Sequence, residues 1–304
     1  MGTASVSAVR PTWPCKELVT ERASQQQRAP VDYHKHTNAG QLEERQLREI
    51  AHSRVGRSIL QGYERDSDTN PAEEPPNIKH YSVAQSSEEY FFEWLRQRCK
   101  GVKALDYCCG SGKNGIFMAK CGADVIGIDI SPDGIEKVSL NARQEGVTPN
   151  CIFRVMDGEA MDFQDNTFDL IVESGALHHL DFQKAMSELR RVVKPSGEIL
   201  CIEALRHNPF IHLYRMRTMH LRTQWDVEHI LGVEHLDMAR NYFTEVSAKF
   251  FHLFVLAAVP FRKTRIFTPL RQFLTRVDET ILRKPIIGKY AWIMIFTLSK
   301  PKKV

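Results

Sequence analysis

The stretch LDYCCGSGKNGIFMAKCGADVIGIDIS, residues 105–131, decides the fold class. It contains an apolar run that ends in a glycine-rich turn, then a helix-forming segment, then a second apolar run that ends in an acid. This order is typical of two parallel strands joined by a helix. The turn GSGKNG matches the G-x-G-x-x-G pattern of dinucleotide-binding loops, but one such match is weak evidence. The surrounding sequence therefore has to indicate what the loop binds.

Strands and helices alternate on short loops on both sides of this stretch. Helices are predicted at 86–97, 114–121, 131–146 and 181–193, and strands at 103–107, 123–129, 151–157, 167–174 and 197–205. Several strands are nearly continuous apolar runs, as expected when helices cover both faces of a parallel sheet. The pattern predicts an α/β fold with a doubly wound, Rossmann-like sheet.

Two local signals predict where helices begin and end. A Ser-x-x-Glu sequence at Ser86 predicts a capping box at the start of the first of these helices. A Lys-Pro-x-Gly turn is predicted to stop the last helix at Pro195 and to start the next strand at Gly197.

Composition and charge give weaker constraints. The net charge of +4 is mild, but residues 260–304 hold eleven Lys or Arg against two acids. The longest apolar run, FFHLFVLAAVPF, has 12 residues, too few for a bilayer, which takes about 20. The 7 cysteines include no C-x-x-C pair, and no secretory signal is visible. We therefore expect free thiols and a cytoplasmic protein.

The glycine loop has three candidate ligands. A phosphate-binding P-loop is rejected, because Tyr107 stands at its first glycine and Asn114 replaces its Ser or Thr. A dinucleotide stays open, because Asp129 follows the second strand at the usual distance. Asp106 argues against a pyrophosphate: each close pair of like charges costs on the order of 3 kcal/mol at an effective dielectric of 20. The same carboxylate would attract a cationic ligand.

Five motifs occur in order between about Tyr81 and Leu205: LDYCCGSG, VIGIDIS, VMDGEAMDF, FDLIVESGALHHL and ELRRVVKPSGEILCIEAL. Together they resemble a class I S-adenosylmethionine-dependent methyltransferase, of the small-molecule, methyltransferase type 11-like branch. The match departs from the family at Cys108, where the acidic-x-Gly-x-Gly-x-Gly pattern has its first glycine. The resemblance implies S-adenosyl-L-methionine as the methyl donor and S-adenosyl-L-homocysteine as the product.

The resemblance also implies roles for individual residues. Asp129 would take both ribose hydroxyls, and Asp157 would accept a hydrogen bond from the adenine amino group. Glu173 and Ser174 would face the methyl end of the donor, and Tyr81 would close over its methionine end. The donor-binding residues predicted in this way are Tyr81, Asp106, Tyr107, Cys108, Gly110, Gly112, Asp129, Ile130, Met156, Asp157, Gly158, Glu173 and Ser174.

Candidate catalytic residues follow the fourth and fifth strands. A general base is needed only if the acceptor is protonated at neutral pH, and imidazole suits that task. His178 is our first candidate, with His179 and Glu203 as the others. The later histidines fit no metal-binding pattern, so we predict no metal site.

The resemblance and the flanking composition predict four regions. They are a flexible tail at 1–40, an N-terminal helix and linker at 41–79, the donor-binding core at 80–205, and an acceptor and lid region at 206–304. The last region is expected to hold a helical segment at 207–231 and strands at 244–254 and 290–300, with an amphipathic basic insert between these strands. A seven-stranded sheet with an N-terminal helical extension and a C-terminal helical insert results.

The predicted function is methyl transfer to a small hydrophobic or aromatic molecule, in small-molecule biosynthesis, on oxygen, nitrogen or carbon. A lipid-like acceptor and peripheral membrane contact through the basic C-terminal segment are open possibilities. The main alternative is a nucleic-acid methyltransferase that uses this basic region. It is disfavoured because ESGAL stands where base-methylating members carry Asn/Asp-Pro-Pro-aromatic. A partner-activating, non-catalytic methyltransferase fold and a dehydrogenase also stay open.

Overall fold

One mixed sheet organises the computed structural model, which describes residues 78–217 and 229–303. Its strands are β1 Lys103–Tyr107, β2 Asp124–Asp129, β3 Cys151–Val155, β4 Phe168–Ser174, β5 Val193–Ala204, β6 Phe243–Phe251 and β7 Ile293–Pro301. Their order across the sheet is β3-β2-β1-β4-β5-β7-β6. The strands β1 to β5 are parallel, whereas β7 runs antiparallel to both β5 and β6. The predicted seven-stranded α/β fold is confirmed.

Helices connect the parallel strands, as crossovers between parallel strands require. They are α1 Ile78–Tyr81, α2 Gln85–Arg96, α3 Lys113–Lys120, α4 Pro132–Gln144, α5 Phe182–Val192, α6 Pro209–Arg217, α7 Glu234–Ala239, α8 Phe267–Ile281 and α9 Pro285–Gly288, with 3₁₀-helices at Leu177–His179 and Phe254–Phe261. The chain winds from β1 outward to β3 and then returns to β4 on the other side of β1. The loops after β1 and β4 therefore diverge at the carboxyl edge, where open α/β sheets bind ligands.

Hydrophobic cores lie on both faces of the sheet. Along β4, Leu170 and Val172 belong to one buried cluster and Ile171 to the other, as the two-residue period of a strand requires. Leu95 of α2 packs in the first cluster and Leu189 of α5 in the second. Burial on both faces explains why the central strands read as continuous apolar runs.

The start of α2 differs from the prediction. The helix begins at Gln85, and the residue before it, Ala84, has helical dihedral angles and no side chain that caps the helix. Ser86 lies inside the first turn, so the predicted capping box is wrong. The chain enters α2 directly from a preceding turn, and Ser87 Oγ donates to Ala84 O at 2.8 Å.

The end of α5 also differs. The helix ends at Val192, so Pro195 does not stop it. The strand β5 begins at Val193 opposite Phe168, and the register then shifts before the pairing resumes at Glu198. Pairing with β4 takes Val193 out of the helix before the proline is reached.

The region after β5 was predicted less well. Among the described residues of the predicted helical segment 207–231, α6 is helical, and α7 was not predicted. Residues 218–228 lie outside the described residues, as do the predicted tail at 1–40 and the predicted N-terminal helix and linker as far as residue 77. The predicted strand at 244–254 ends earlier, at Phe251, because His252 takes a positive φ of 66° and the chain turns into a 3₁₀-helix.

The predicted insert between β6 and β7 consists of the second 3₁₀-helix, α8 and α9. Asp278 of α8 ties it together, because its carboxylate accepts hydrogen bonds from the backbone N–H groups of Leu253, Phe254 and Val255 at 2.8–3.1 Å. Within the described ranges, no helix is both long and apolar enough to cross a membrane. These residues belong to one compact unit, Thr37–Val304, and the four predicted region boundaries stay predictions.

Candidate functional site

The glycine loop after β1 uses its small residues for three different purposes. Gly112 has a φ of 73°, and a Cβ there would lie 1.8 Å from Val138 Cγ2. Gly110 also has a positive φ, of 50°, but a Cβ there would meet no atom within 4 Å, so the chain leaves open space above it. Cys108 takes a φ of 54° at the position where the family has its first glycine. The departure at Cys108 thus keeps a left-handed backbone in a residue that normally avoids it.

Asp106 lies underneath this loop and is 1% exposed. Its Oδ2 accepts a hydrogen bond from Gly115 N at 2.8 Å, at the start of α3. A Cβ on Gly115 would lie 2.9 Å from that oxygen. The absence of a side chain at Gly115 therefore lets α3 approach the carboxyl group of Asp106. One of the N–H groups that would bind a phosphate at a helix N-terminus is already used by Asp106.

Burial raises the pKa of Asp106 to about 8, and the nearby charge of Asp129 adds to the effect. At neutral pH this carboxyl group is therefore mostly protonated until a cation pairs with it. This weakens the electrostatic argument against a pyrophosphate, which assumed an ionised Asp106. The occupied N–H of Gly115 is the stronger geometric objection.

Asp129 is the last residue of β2 and lies beside the glycine loop. It is the residue predicted to contact the ribose of the donor. Its Oδ2 accepts from Gly110 N at 3.0 Å and its Oδ1 from Ser131 N at 2.9 Å. A carboxylate has about four lone-pair sites, so two remain for a pair of hydroxyl groups. The number of remaining acceptor sites equals the number of donors in a vicinal diol.

The loop after β3 lies across from Asp129. Met156 N donates to Asp129 O at 3.0 Å, and Asp157 Oδ1 accepts from Glu159 N at 2.8 Å. Tyr107 is fully buried, and its hydroxyl donates to Gly158 O at 3.0 Å. Tyr107 thus supports the predicted adenine-binding loop from beneath.

Ile130 and Met156 are partly exposed. They are next to Asp129 and Asp157, respectively, in the sequence. A Cβ on Gly158 would lie 2.8 Å from the Tyr107 hydroxyl. The predicted donor-binding residues on β1, β2 and β3 are thus brought to one edge of the sheet.

Two buried carboxyl groups lie at the ends of β4 and β5. Glu173 Oε1 accepts from Ala176 N at 2.6 Å and from Leu177 N at 3.3 Å. Glu203 Oε1 accepts from the same Leu177 N at 2.7 Å. Both side chains are fully buried, at 0% and 1% exposure. Glu173 therefore fixes the loop after β4, and its predicted contact with the methyl end of the donor stays a prediction.

The pKa values of these two glutamates are shifted in opposite directions. Burial, with the charge of Glu203 next to it, raises the pKa of Glu173 well above its usual range. Burial also disfavours the charge on Glu203, but the charge and hydrogen bond of His178 outweigh it, and the pKa of Glu203 is lowered. Within the described residues, Glu173 Oε2 has no hydrogen-bond partner as an acceptor. Protonated, it becomes a donor toward Glu203.

His178 is oriented by this pair. Its Nδ1 lies 2.9 Å from Glu203 Oε2, and its side chain is 21% exposed. A carboxylate at Nδ1 selects the tautomer with the proton on that nitrogen, so Nε2 is the one able to take a proton. The His179 ring contacts it in a tilted arrangement, with centroids 4.1 Å apart and an interplanar angle of 37°.

A cavity of about 440 Å³ opens at the carboxyl ends of β4 and β5. Of the predicted residues, it is lined by Tyr81, Ser174, His178 and Glu203, whereas His179 is absent from its lining. Tyr81 is 59% exposed and its ring packs edge-on against that of Trp292, with centroids 5.4 Å apart. Tyr81 and Ser174 therefore lie on the wall that His178 shares.

Sequence reasoning missed several other residues of the wall: His80, Tyr214, Arg215 and Trp292. Ile211, Tyr214 and Arg215 lie at three- and four-residue spacing on one face of α6, a signal that helical periodicity contains. Arg215 is 6% exposed, and its Nη1 donates to Leu205 O at 2.9 Å. Trp292 has no such signal, because only the antiparallel placement of β7 brings it to the cavity.

Residues 104–197 match a protein-family model described as a methyltransferase domain. An uncharacterised methyltransferase of Synechocystis sp. is 32% identical over 109 residues, which are 35% of this chain and 49% of that protein. A demethylmenaquinone methyltransferase of Staphylococcus aureus is 36% identical over 111 residues, 34% of this chain and 44% of that protein. The chain thus spans about half the length of these relatives.

A solved structure of phosphoethanolamine N-methyltransferase 2 from Haemonchus contortus, in complex with phosphomonomethylethanolamine and S-adenosylhomocysteine, shares the fold. The TM-score is 0.51 at 14% identity, over 74% of this chain and 57% of that one. At this identity the similarity concerns the fold alone.

Proposed function

We propose that this chain, of which residues 104–197 match a methyltransferase domain, is a class I S-adenosylmethionine-dependent methyltransferase that acts on a small hydrophobic or aromatic acceptor. The donor supplies a methyl group already activated by a sulfonium. The main task of the protein is then positioning, which is worth about 7–11 kcal/mol in well-oriented reactions.

The observation that carries the proposal is the position of the His178–Glu203 pair. Tyr107 at the end of β1 pairs with Glu173 at the end of β4. Ser174 follows directly and lines the cavity. The predicted base therefore lies on a cavity that begins beside the predicted donor site. His178 would take a proton from an acceptor hydroxyl or ammonium group through Nε2, while Glu203 holds Nδ1.

The cavity walls support an apolar or aromatic acceptor. Tyr81, Tyr214 and Trp292 contribute three aromatic rings, and a few polar groups converge among them. Transfer to oxygen, nitrogen or carbon is compatible with this wall. The relatives do not favour the nucleic-acid alternative. A cytoplasmic location and a role in small-molecule biosynthesis belong to the same proposal, and the free thiols of the described cysteines support a reducing compartment.

Calorimetric titration with S-adenosylhomocysteine, and separately with NADH, tests the proposal. Micromolar binding of S-adenosylhomocysteine alone is expected, and acceptors are then screened with isotopically labelled S-adenosylmethionine. Binding of NADH without S-adenosylhomocysteine would overturn the methyltransferase assignment.

Donor affinity is expected to rise with pH through Asp106. Its pKa of about 8 means that the ammonium group of the ligand displaces a proton when it pairs with the carboxylate. Because the free group is protonated below that pKa, the dissociation constant for S-adenosylhomocysteine should fall about tenfold from pH 6 to pH 7 and level off above pH 8. Calorimetry in buffers of different ionisation enthalpy measures the released proton. Asp106→Asn should abolish the dependence, and a flat wild-type profile would contradict this role.

Peripheral membrane contact through the basic C-terminal segment is a further part of the proposal. Phe273 of α8 and Ile286 of α9 are 62% and 80% exposed, so apolar side chains of the insert between β6 and β7 are not fully packed against the core. Co-sedimentation with vesicles that contain phosphatidylglycerol should exceed that with pure phosphatidylcholine and should fall as salt is added. Equal binding to both vesicles at all salt concentrations would contradict the electrostatic contact.

A further inference from the structure

A second cavity, of about 390 Å³, lies between α6 and the 3₁₀-helix Phe254–Phe261. Its walls are almost entirely apolar: Phe210 and Ile211 on one side, and Leu256, Ala257, Val259 and Pro260 on the other. We call it the apolar groove. Arg262 and His80 complete the lining.

The apolar groove adjoins the cavity that contains His178. His80 and Ile211 line both, so the two spaces adjoin at these side chains. The cavity that contains His178 is lined by its imidazole and by the carboxylate of Glu203. The apolar groove is lined mainly by hydrocarbon side chains. A ligand that fills both needs a polar head and an apolar chain.

The groove is also continuous with exposed apolar surface. Phe210 on its wall is 66% exposed, and Leu213 one turn further along α6 is 49% exposed. Exposed apolar surface that leads into a cavity marks a ligand-binding or interaction site in many proteins. A chain too long for the groove would therefore continue along this side of α6.

We propose that the apolar groove holds the alkyl chain of an amphiphilic acceptor whose reactive polar head lies beside His178. The proposal rests on the proposed function and narrows its acceptor to molecules that carry such a chain. Two observations carry it: the groove adjoins the reactive cavity through shared residues, and the linings of the two spaces differ sharply in chemistry.

The test measures binding of para-ethylphenol, para-butylphenol and para-hexylphenol to the full chain by calorimetry, with S-adenosylhomocysteine present. Each methylene that enters the groove should tighten binding about three- to fourfold. No gain along the series, with S-adenosylhomocysteine bound normally, would overturn the groove proposal. Absence of S-adenosylhomocysteine binding would instead overturn the proposed function, and the phenols titrated alone would still report on the groove.

A groove-filling variant separates this site from unspecific binding. Ala257 lines the groove but is exposed, so Ala257→Trp should occupy the space without displacing a buried side chain. The gain with chain length should disappear, while the affinities for para-ethylphenol and S-adenosylhomocysteine stay within about twofold of wild type. Thr268→Trp places the same side chain at an exposed position of α8 outside the groove lining and should preserve the gain. An undiminished gain in Ala257→Trp would overturn the proposal.

Discussion

Replacement of His178 by alanine should lower the turnover number by about two to four orders of magnitude, the range in which a positioned general base contributes. The reason lies in the arrangement of two side chains. Glu203 holds Nδ1 of His178 at 2.9 Å, which leaves Nε2 free to accept a proton in the cavity. Alanine removes that acceptor and leaves the charge of Glu203 without its partner. The affinity for S-adenosylhomocysteine should change by less than about twofold, because His178 is not among the predicted donor-binding residues.

His179→Ala is the matched control, because it removes a histidine from the same 3₁₀-helix without touching the cavity wall. Turnover should fall only severalfold in this variant, through loss of the ring that contacts His178. Glu203→Gln should give an intermediate loss, because a neutral amide no longer favours the proton on Nδ1. Single-turnover rates with labelled donor measure all three. A His178→Ala rate close to wild type would mean that the acceptor arrives without a proton to lose, and His178 would not be the base.

Local signals were enough to predict the central part of the fold. The strands β1 and β4 read as apolar runs because both faces of the sheet are buried. Consecutive residues of these strands are therefore mostly apolar, which makes the strands easy to predict. Helix ends were predicted less well where tertiary pairing decides them. Val193 leaves α5 to pair with Phe168, a residue that no local pattern connects to it.

In the candidate site, too, the features set by local sequence were predicted better than those set by tertiary contacts. Asp129 and Asp157 follow predicted strands, and chain order alone brings them to one edge of a parallel sheet. Glu173 was predicted at the end of β4, but its burial could not be read from the local sequence, because the carboxyl group next to it, Glu203, comes from the neighbouring strand. The cavity wall is the least predictable part. Trp292 reaches it only because β7 inserts antiparallel beside β5.

Replacement of Asp129 by alanine should weaken S-adenosylhomocysteine binding by more than about tenfold, or about 1.4 kcal/mol. The predicted loss has two sources. Two hydrogen bonds from ribose hydroxyls to a charged acceptor disappear, each worth about 1.5–3 kcal/mol. The backbone N–H groups of Gly110 and Ser131 also lose the acceptor that holds them, so the loop is less well ordered for binding. Isothermal titration calorimetry measures the change.

Two companion variants make the result specific. Asp124→Ala removes an exposed acid from the opposite end of the same strand and should leave the affinity within about twofold of wild type. Asp129→Asn keeps one carbonyl oxygen but loses the charge, so its affinity should lie between those of wild type and Asp129→Ala. Since the alanine variant could also fail by unfolding the loop, its melting temperature is measured alongside. A folded Asp129→Ala protein with wild-type affinity would show that the ribose binds elsewhere, and Asp157 together with the end of β3 would then have to supply the polar contacts of the donor.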